Sequence, residues 1–334
     1  MRQAAEIGRA AEAIRAGRLV VFPTETVYGL GANALDAEAV ARIFDAKGRP
    51  GDNPLIVHIA DIAELSTVVK DPPEVAYRLL KHFSPGPLTV VLPRNPRIPS
   101  AVSAGLPTVA VRIPSHPVAR ELIRLAGVPI AAPSANRSGR PSPTDVETAR
   151  RDLGDRVDIY LDGGPCEIGL ESTVVRVQGA SVEVLREGAV TREMLFEALG
   201  RSVGGGRAGR GAPSFAAESP GTRHAHYMPK ARVVPFEETG SSDDKGTPDA
   251  SEPVALLFLG EMPDLPELRH LRDPITLLAY PFGSLEEYAR SLYRVFREAD
   301  EKGCARIYAE LPPARGIGRA LRDRILRASG FANS

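Results

Sequence analysis

The sequence contains no tryptophan and only two cysteines among 334 residues. Two thiols as far apart as Cys166 and Cys304 make neither a disulfide framework nor a cysteine-rich zinc site. A reducing cytoplasm is the simplest compartment for such a chain. Net charge is missing as well, since 42 Lys and Arg residues meet 42 Asp and Glu residues. That balance excludes a chain-wide field of the kind that draws nucleic acid or an anionic membrane surface. Lysine is scarce, 6 residues in all, which reads as a bias of composition and not as a site. No apolar run is long enough to span a bilayer, and Met1-Arg2-Gln3 leads into an Ala-rich segment without a signal-peptide pattern. The G-x-x-x-x-G-K-[ST] phosphate loop, the H-E-x-x-H zinc helix and any His/Cys/Asp metal cluster are absent from the sequence.

What is there describes a globular α/β protein. Hydrophobic residues make up 43% and charged ones 25%, proportions that exclude bulk disorder. The length favours two domains. Ile7, Ala10, Ala11 and Ile14 recur at helical spacing before Gly17, and 19–22 reads as a short buried strand stopped by Pro23. Asp36 and Gly48 bracket a second helix. Strands are predicted at 55–59, 88–92, 108–113, 128–132, 157–161, 172–177 and 182–186, with helices at 117–126 and 191–199. The two kinds of element do not alternate strictly, so the sheet should be of mixed direction. Gly29-Leu30-Gly31-Ala32-Asn33-Ala34 fits a loose dinucleotide-binding pattern, but six residues separate it from the preceding strand. Its glycines read instead as a tight turn before the helix.

Composition changes after residue 203. The segment GGGRAGRG (204–211) is a flexible linker by composition, and two Arg-Gly steps without aromatics make a poor RNA-binding segment. The stretch 219–235 is richer in aromatics and histidine than a passive spacer needs, and 237–252 is polar. From Pro253 a second unit begins, with strands at 254–259, 275–279 and 305–309 and helices at 284–301 and 316–328. The expected organisation is a first domain over 1–203, a linker over 204–252 and a small α/β domain over 253–334.

Polar residues gather at the strand ends of the first domain. Thr24-Glu25-Thr26 follows the first strand; Lys47 and Arg49 end the second helix, with Asp52 and Asn53 just beyond. His58 lies in the next strand, and Thr108 and Arg112 bound another. Ser134, Asn136 and Ser138 follow strand 128–132, Ser142 sits between prolines, Ser172 and Thr173 open a strand, and Arg186 closes the last one. Ligands of open α/β sheets bind at such ends. Taken singly, each residue has an ordinary reading. A cation ending a helix answers the helix dipole, a strand histidine is a hydrogen-bonded core residue, and Ser-Ala-Asn is turn chemistry. Together, four cations (Lys47, Arg49, Arg112, Arg186) among hydroxyls, without a carboxylate pair, describe a site for a polyanion such as a triphosphate plus a small polar molecule.

The segments FPTETVYGLGANA (22–34), KGRPGDNPLIVHI (47–59), SPGPLTVVL (84–92), TVAVRIPSHP (108–117) and PIAAPSAN (129–136) resemble the L-threonylcarbamoyladenylate synthase family. Lys47, Arg49, Ser134 and Asn136 match its Lys-x-Arg … Ser-x-Asn signature, and RPSPT (140–144), ESTVV (171–175) and VLREG (184–188) extend the likeness. The resemblance covers 8–230, and the tail from 253, ending LPPARGIGRALRDRILRA (311–328), is similar to the extra domain of the family's long form.

The resemblance implies a twisted mixed-sheet catalytic domain with a deep concave site, followed by a smaller Rossmann-like α/β domain. It implies an enzyme that makes threonylcarbamoyl-AMP and pyrophosphate from L-threonine, bicarbonate or CO₂, and ATP, for the threonylcarbamoyl modification of an adenosine in tRNA. Carried over residue by residue, threonine falls to Thr26, His58, Arg112, Ser172 and the backbone at Ala132. ATP falls to Arg49, Asn53, Thr108, Ser134, Ser142 and Arg186, with Lys47 joining Arg49 at the phosphates as the catalytic pair. His226-Tyr227 matches a segment that closes over the site, which implies a lid over 219–230 with Tyr227 on the nucleotide; Thr222 and Met228 depart from the residues usual there. Mg²⁺ would come with ATP, held mostly by phosphate oxygens and water, and no organic cofactor is implied. The product would pass to transferase machinery acting on tRNA. Contact with tRNA through Arg315, Arg319, Arg322, Arg324 and Arg327 stands against the plainer reading of a solvated basic helix face. Two other classes remain in view. A non-catalytic double-stranded RNA or tRNA-binding module is opposed by the neutral charge, and a carbamoyl-transfer relative of the hydrogenase-maturation kind by the absence of zinc-finger cysteines.

Overall fold

The computed structural model describes residues 2–205, 227–237, 248–249, 251–271 and 276–330. The chain divides into two compact units. Residues up to 205 form the first, except that the short loops 139–141 and 168–170 belong with the second, which otherwise begins, among the described residues, at Tyr227. The expected lid residues 219–226, with Thr222 and His226, lie outside the described residues, as does most of the expected linker.

In the first unit, α1 (Arg2–Arg15) buries Ile7, Ala10, Ala11 and Ile14, as their spacing dictates. In β1 (Val20–Phe22), Val20 and Phe22 pack with α1, while Val21, with Leu19 just ahead of the strand, enters a larger core on the other face. That alternation marks a strand covered on both sides. Next, β2 (Gly29–Asn33) pairs antiparallel with β1, which corrects the expectation of a turn at its glycines. A Cβ on Gly31 would come within 2.7 Å of Phe22 Cε1 and 2.8 Å of Ile130 Cγ2. Close packing of a ring, inside a strand, is what excludes a side chain there. Helix α2 (Ala37–Lys47) starts where the Asp36 carboxylate accepts the N–H groups of Glu38 and Ala39, and stops at Gly48, whose φ is 60°.

The unit continues through β3 (Ile56–His58), α3 (Leu65–Val68), α4 (Glu74–Phe83), β4 (Leu88–Pro93), β5 (Thr108–Arg112), α5 (Pro117–Ala126) and β6 (Ile130–Ala131). It is completed by α6 (Val146–Leu153), β7 (Ile159–Tyr160), β8 (Thr173–Gln178), β9 (Ser181–Arg186), α7 (Arg192–Leu199) and β10 (Gly204–Gly205). All ten strands join one mixed sheet in the order β10-β9-β8-β4-β5-β3-β6-β2-β1-β7. Its central strands β3, β5, β4 and β8 send Val57, Val111, Val90 and Val175 into the large core, whereas Ile56, Ala110, Val91 and Val174 form a small cluster apart from it. Side chains alternate along a strand, so His58, Arg112 and Thr89 share the face of the small cluster.

The second unit holds a four-stranded, wholly parallel sheet, built from β11 (Arg232–Phe236), β12 (Val254–Leu259), β13 (Leu277–Phe282) and β14 (Arg306–Glu310) in the order β11-β14-β12-β13. Helix α8 (Leu285–Glu301) opens on a reciprocal cap. Ser284 Oγ accepts the Glu287 N–H at 3.1 Å, and Glu287 Oε2 accepts the Gly283 N–H at 2.8 Å. Helix α9 (Gly318–Ala328) follows β14. Strand β11 falls within the segment read from sequence as linker; Val233, Val234 and Phe236 are buried, and its Pro235 is tolerated because β11 is an edge strand. No helix among the described residues is long and apolar enough to cross a membrane.

Candidate active site

Strand register lines up the chemistry. His58 lies opposite Arg112, Arg112 opposite Thr89, Thr89 opposite Val174, and Val174 opposite Arg186. On the other side His58 lies opposite Ile130, two residues before Ala132. One lateral row across β6, β3, β5, β4, β8 and β9 therefore carries a backbone position, an imidazole, a guanidinium, a hydroxyl and a second guanidinium. Ser172, just ahead of β8, joins it: its Oγ lies 2.7 Å from Thr89 Oγ1 and accepts from Arg186 Nη2 at 3.1 Å, while Arg186 Nε donates to the Ser172 carbonyl at 3.1 Å. Gly188 makes this approach possible. A Cβ there would sit 2.4 Å from the Thr173 nitrogen and 2.7 Å from the Ser172 carbonyl carbon.

Arg112 is held from three sides. Its Nη1 donates to Thr26 Oγ1 at 2.9 Å, its Nε to the Gly86 carbonyl at 3.3 Å, and its Nη2 lies 2.7 Å from Glu25 Oε1. The Thr24 hydroxyl shapes the turn that delivers these groups, donating to the Val27 carbonyl at 2.6 Å and accepting the Thr26 and Val27 N–H groups at 3.2 Å. His58 is 3% exposed, its ring edge-on to Phe22, and its Nδ1 has no hydrogen-bond partner among the described residues. Burial first, and the Arg112 charge second, push its pKa down to about 3. At neutral pH it is an uncharged ring with an unmet polar atom, an arrangement that costs free energy until something bonds to it.

A second group forms where α2 ends. The buried Lys47 ammonium donates to the carbonyls of Ser134, at 2.5 Å, and Asn136, and reaches Asn136 Oδ1 at 3.5 Å. Burial, then the Arg49 charge, lowers its pKa well below the ordinary lysine value, with Asp152 opposing. Ser134 Oγ donates to Asn136 Oδ1 at 2.5 Å, and Arg49 Nη2 donates to the Asn53 and Pro54 carbonyls at 3.3 and 3.2 Å. Residues 133–135 run along the start of β2, since the Leu30 N–H donates to the Pro133 carbonyl and the Ala135 N–H to the Tyr28 carbonyl. That brings Ser134 beside the turn bearing Thr26.

The remaining expected positions spread outward. Ser142 Oγ donates at 2.6 Å to Glu171 Oε1, next to Ser172. Thr108 shares the Arg112 face of β5 but stands four residues away, about 13 Å along the strand. Tyr227, expected on a nucleotide, belongs to the second unit, where its ring stacks on Tyr293 at 5.4 Å and lies 5.3 Å from the Arg324 guanidinium. Thr89 and Glu171 were missed from sequence. Thr89 carried one signal, a hydroxyl at an inward position of an otherwise apolar strand. Among the described residues no group of three His, Cys, Asp or Glu side chains is placed to hold a metal ion.

An open mixed α/β sheet, with buried guanidiniums, an ammonium, hydroxyls and a neutral imidazole along its strand ends, is an arrangement that can hold and orient small charged molecules. A family model described as "Telomere recombination" (Sua5, YciO, YrdC) matches residues 12–188, and one described as "Threonylcarbamoyl-AMP synthase, C-terminal domain" matches 190–330. Threonylcarbamoyl-AMP synthase of Pyrococcus abyssi is 42% identical over 322 residues, 96% of this chain and 93% of the relative. That of Bacillus subtilis is 40% identical over 332 residues, 97% of this chain and 93% of the relative. The crystal structure of P. abyssi Sua5 complexed with L-threonine matches with a TM-score of 0.85 at 39% identity, covering 98% of this chain and 95% of that one. The chain belongs to the threonylcarbamoyl-AMP synthase family of nucleotidyltransferases, in its two-domain long form.

Proposed function

We propose that this chain joins L-threonine, bicarbonate or CO₂, and ATP into threonylcarbamoyl-AMP, releasing pyrophosphate, and that the product serves threonylcarbamoyl modification of tRNA in the cytoplasm. The observation that carries the reading is the buried set of Thr26, His58, Arg112 and Ser172, in a chain so similar to a protein crystallised with L-threonine. Arg112 takes the threonine carboxylate through a charge-assisted contact. Neutral His58, with Ser172, Thr26 and the Ala132 backbone, meets the remaining polar groups of the amino acid.

The threonine amine attacks CO₂, forming the N–C bond and releasing a proton. A carbamate oxygen then attacks the α-phosphorus, and the bond from that phosphorus to the β-phosphate oxygen breaks, expelling pyrophosphate. Carbamate is the nucleophile, so no Ser–His or Cys–His pair is required. Arg49 and Arg186 answer the charge growing on phosphate oxygens. Asn53, Thr108, Ser134 and Ser142 hold the nucleotide; Lys47, expected beside Arg49 at the phosphates, turns its ammonium to the Ser134 and Asn136 carbonyls and steadies the 134–136 loop. Mg²⁺ would accompany ATP as part of the substrate, where it would offset phosphate charge. Tyr227 is assigned to the nucleotide, and exclusion of water from the site protects the labile carbamate.

Incubation of the full chain with ATP, L-threonine and bicarbonate tests this reading by quantifying pyrophosphate and the adenylate product. Release that requires all three substrates is expected. Threonine-independent release would contradict the reading, and tRNA binding with no release would replace it with the RNA-binding one.

A further inference from the structure

We infer that Glu25 is a positioning residue that holds the Arg112 guanidinium in the orientation that receives the substrate carboxylate. The inference rests on the proposed role of Arg112 and adds a residue to which that role assigns nothing. Glu25 is 4% exposed, a carboxylate buried in the turn between β1 and β2. Isolated carboxylates are not left in such places without a partner that answers their charge. Its two oxygens reach in two directions. Oε2 accepts the Ser115 N–H at 3.2 Å, and Oε1 lies 2.7 Å from Arg112 Nη2. Ser115 is three residues past Arg112, so one carboxylate ties the turn at 24–27 both to the exit of β5 and to the guanidinium of β5's last residue.

A guanidinium is planar, so hydrogen bonds at Nε and Nη1 fix its plane, while Glu25 meets Nη2 as a close ion pair not aligned as a hydrogen bond. Gly86 meets Nε and Thr26 meets Nη1, but both are neutral acceptors; Glu25 at Nη2 supplies the opposite charge. Each Nη carries a second N–H beyond these contacts, which leaves Arg112 able to bind a carboxylate while still fixed by the protein. Without Glu25 the arginine would keep its neutral contacts yet lose its counter-charge, and its terminal nitrogens would no longer be aimed before substrate arrives. The turn itself does not need the carboxylate for its shape, because the Thr24 hydroxyl makes its internal bonds.

Glu25→Gln keeps size and burial but is neutral, so it removes the charge that faces Arg112 while its amide oxygen can still accept the Ser115 N–H. Steady-state pyrophosphate release, with calorimetric titration of L-threonine, is measured for wild type, Glu25→Gln, Arg112→Lys and the double variant after thermal melts. The expected result is a threonine KM raised about tenfold or more in Glu25→Gln, with ATP KM within about twofold of wild type. In the Arg112→Lys background the same change should add less than about twofold, because the group it acts through is already gone. Unchanged threonine KM in Glu25→Gln, equal increases for threonine and ATP, or effects that multiply in the double variant would overturn the inference. If Arg112→Lys alone leaves threonine KM unaltered, the reading of Arg112 fails and takes this inference with it. If only Glu25→Gln is silent, the inference falls alone. Should Glu25→Gln not fold, Glu25→Asp, one methylene short, takes its place in the same cycle, with a smaller rise in threonine KM expected and the same results overturning the claim.

Discussion

Helix α9 in the second unit and the sheet row in the first both gather cations, and they use them differently. On α9 the charges are answered on the spot: Arg322 pairs with Glu237 at 2.9 Å, Arg327 with Asp323 at 2.9 Å, and the wholly buried Arg324 with Asp323 at 2.5 Å. In the row, Arg186 donates to both oxygens of Ser172 and Arg112 combines one carboxylate with two neutral acceptors, while at the end of α2 Lys47 donates to carbonyls. The α9 arginines look like an anion surface when written out in sequence, yet they serve the architecture of their own unit. Cations scattered from residue 47 to residue 186 are linked in sequence only by their positions at element ends, and strand pairing is what sets Arg112 and Arg186 in one row. Charge density along the chain is a poor guide to a binding site. Burial among neutral donors and acceptors is a better one.

The largest expected effect separates the row from the group at the end of α2. Arg112→Ala should raise threonine KM by about a hundredfold or more, because a buried charge-assisted contact is lost. Arg49→Ala should act chiefly on ATP KM and kcat. If both variants changed only the ATP requirement, the assignment of the row to threonine would be wrong. Lys47→Met comes next, with a smaller effect. It strips the donor from carbonyls at Ser134 and Asn136, each worth about 1–3 kcal/mol when left unmet in the interior. A lower melting temperature with an ATP KM raised about tenfold is expected, and a melt unchanged from wild type would contradict the buried latch.

His58 provides a pH test. Its pKa is near 3 in the fold and 6.5 in the reference state, so the folded chain binds fewer protons than the unfolded one between those values. The stability it contributes is complete above pH 6.5 and is lost as pH falls toward 3, with a slope of at most about 1.4 kcal/mol per pH unit. Urea unfolding of wild type and His58→Gln at pH 7, 5.5 and 4 should show a shallower acid loss in the variant. Identical slopes would mean that His58 is not held neutral. The smallest effect belongs to the second unit. Arg322→Gln breaks a partly exposed pair worth under about 1 kcal/mol and should leave both KM values where they are, whereas a large loss of synthesis would erase the contrast between the two sets of cations.

Much of this contrast was legible before any coordinates. Asp36 and Gly48 bracket α2 as their capping chemistry requires, and the strand-end positions of His58, Arg112, Ser172 and Arg186 followed from the short apolar runs around them. Helix α4 was legible but overlooked: Ala76, Leu79, Leu80 and Phe83 have helical spacing between two prolines, as the Asp145 cap announces α6. Other features were hidden for physical reasons. Gly29 and Gly31 suggest a turn locally, and only the Phe22 ring packed against them reveals a strand. Thr89 and Ser172 meet across 83 residues of sequence because β4 pairs with β8, which no local pattern encodes. Glu25 was visible as one polar residue among three, but its partnership with Arg112 depends on where β5 ends.

Equilibrium titration of L-threonine into the full chain, without ATP, tests the central claim most directly because it needs no turnover. The account predicts saturable binding that is abolished in Arg112→Ala and retained in Arg322→Gln. Binding of equal strength in Arg112→Ala and wild type would contradict it.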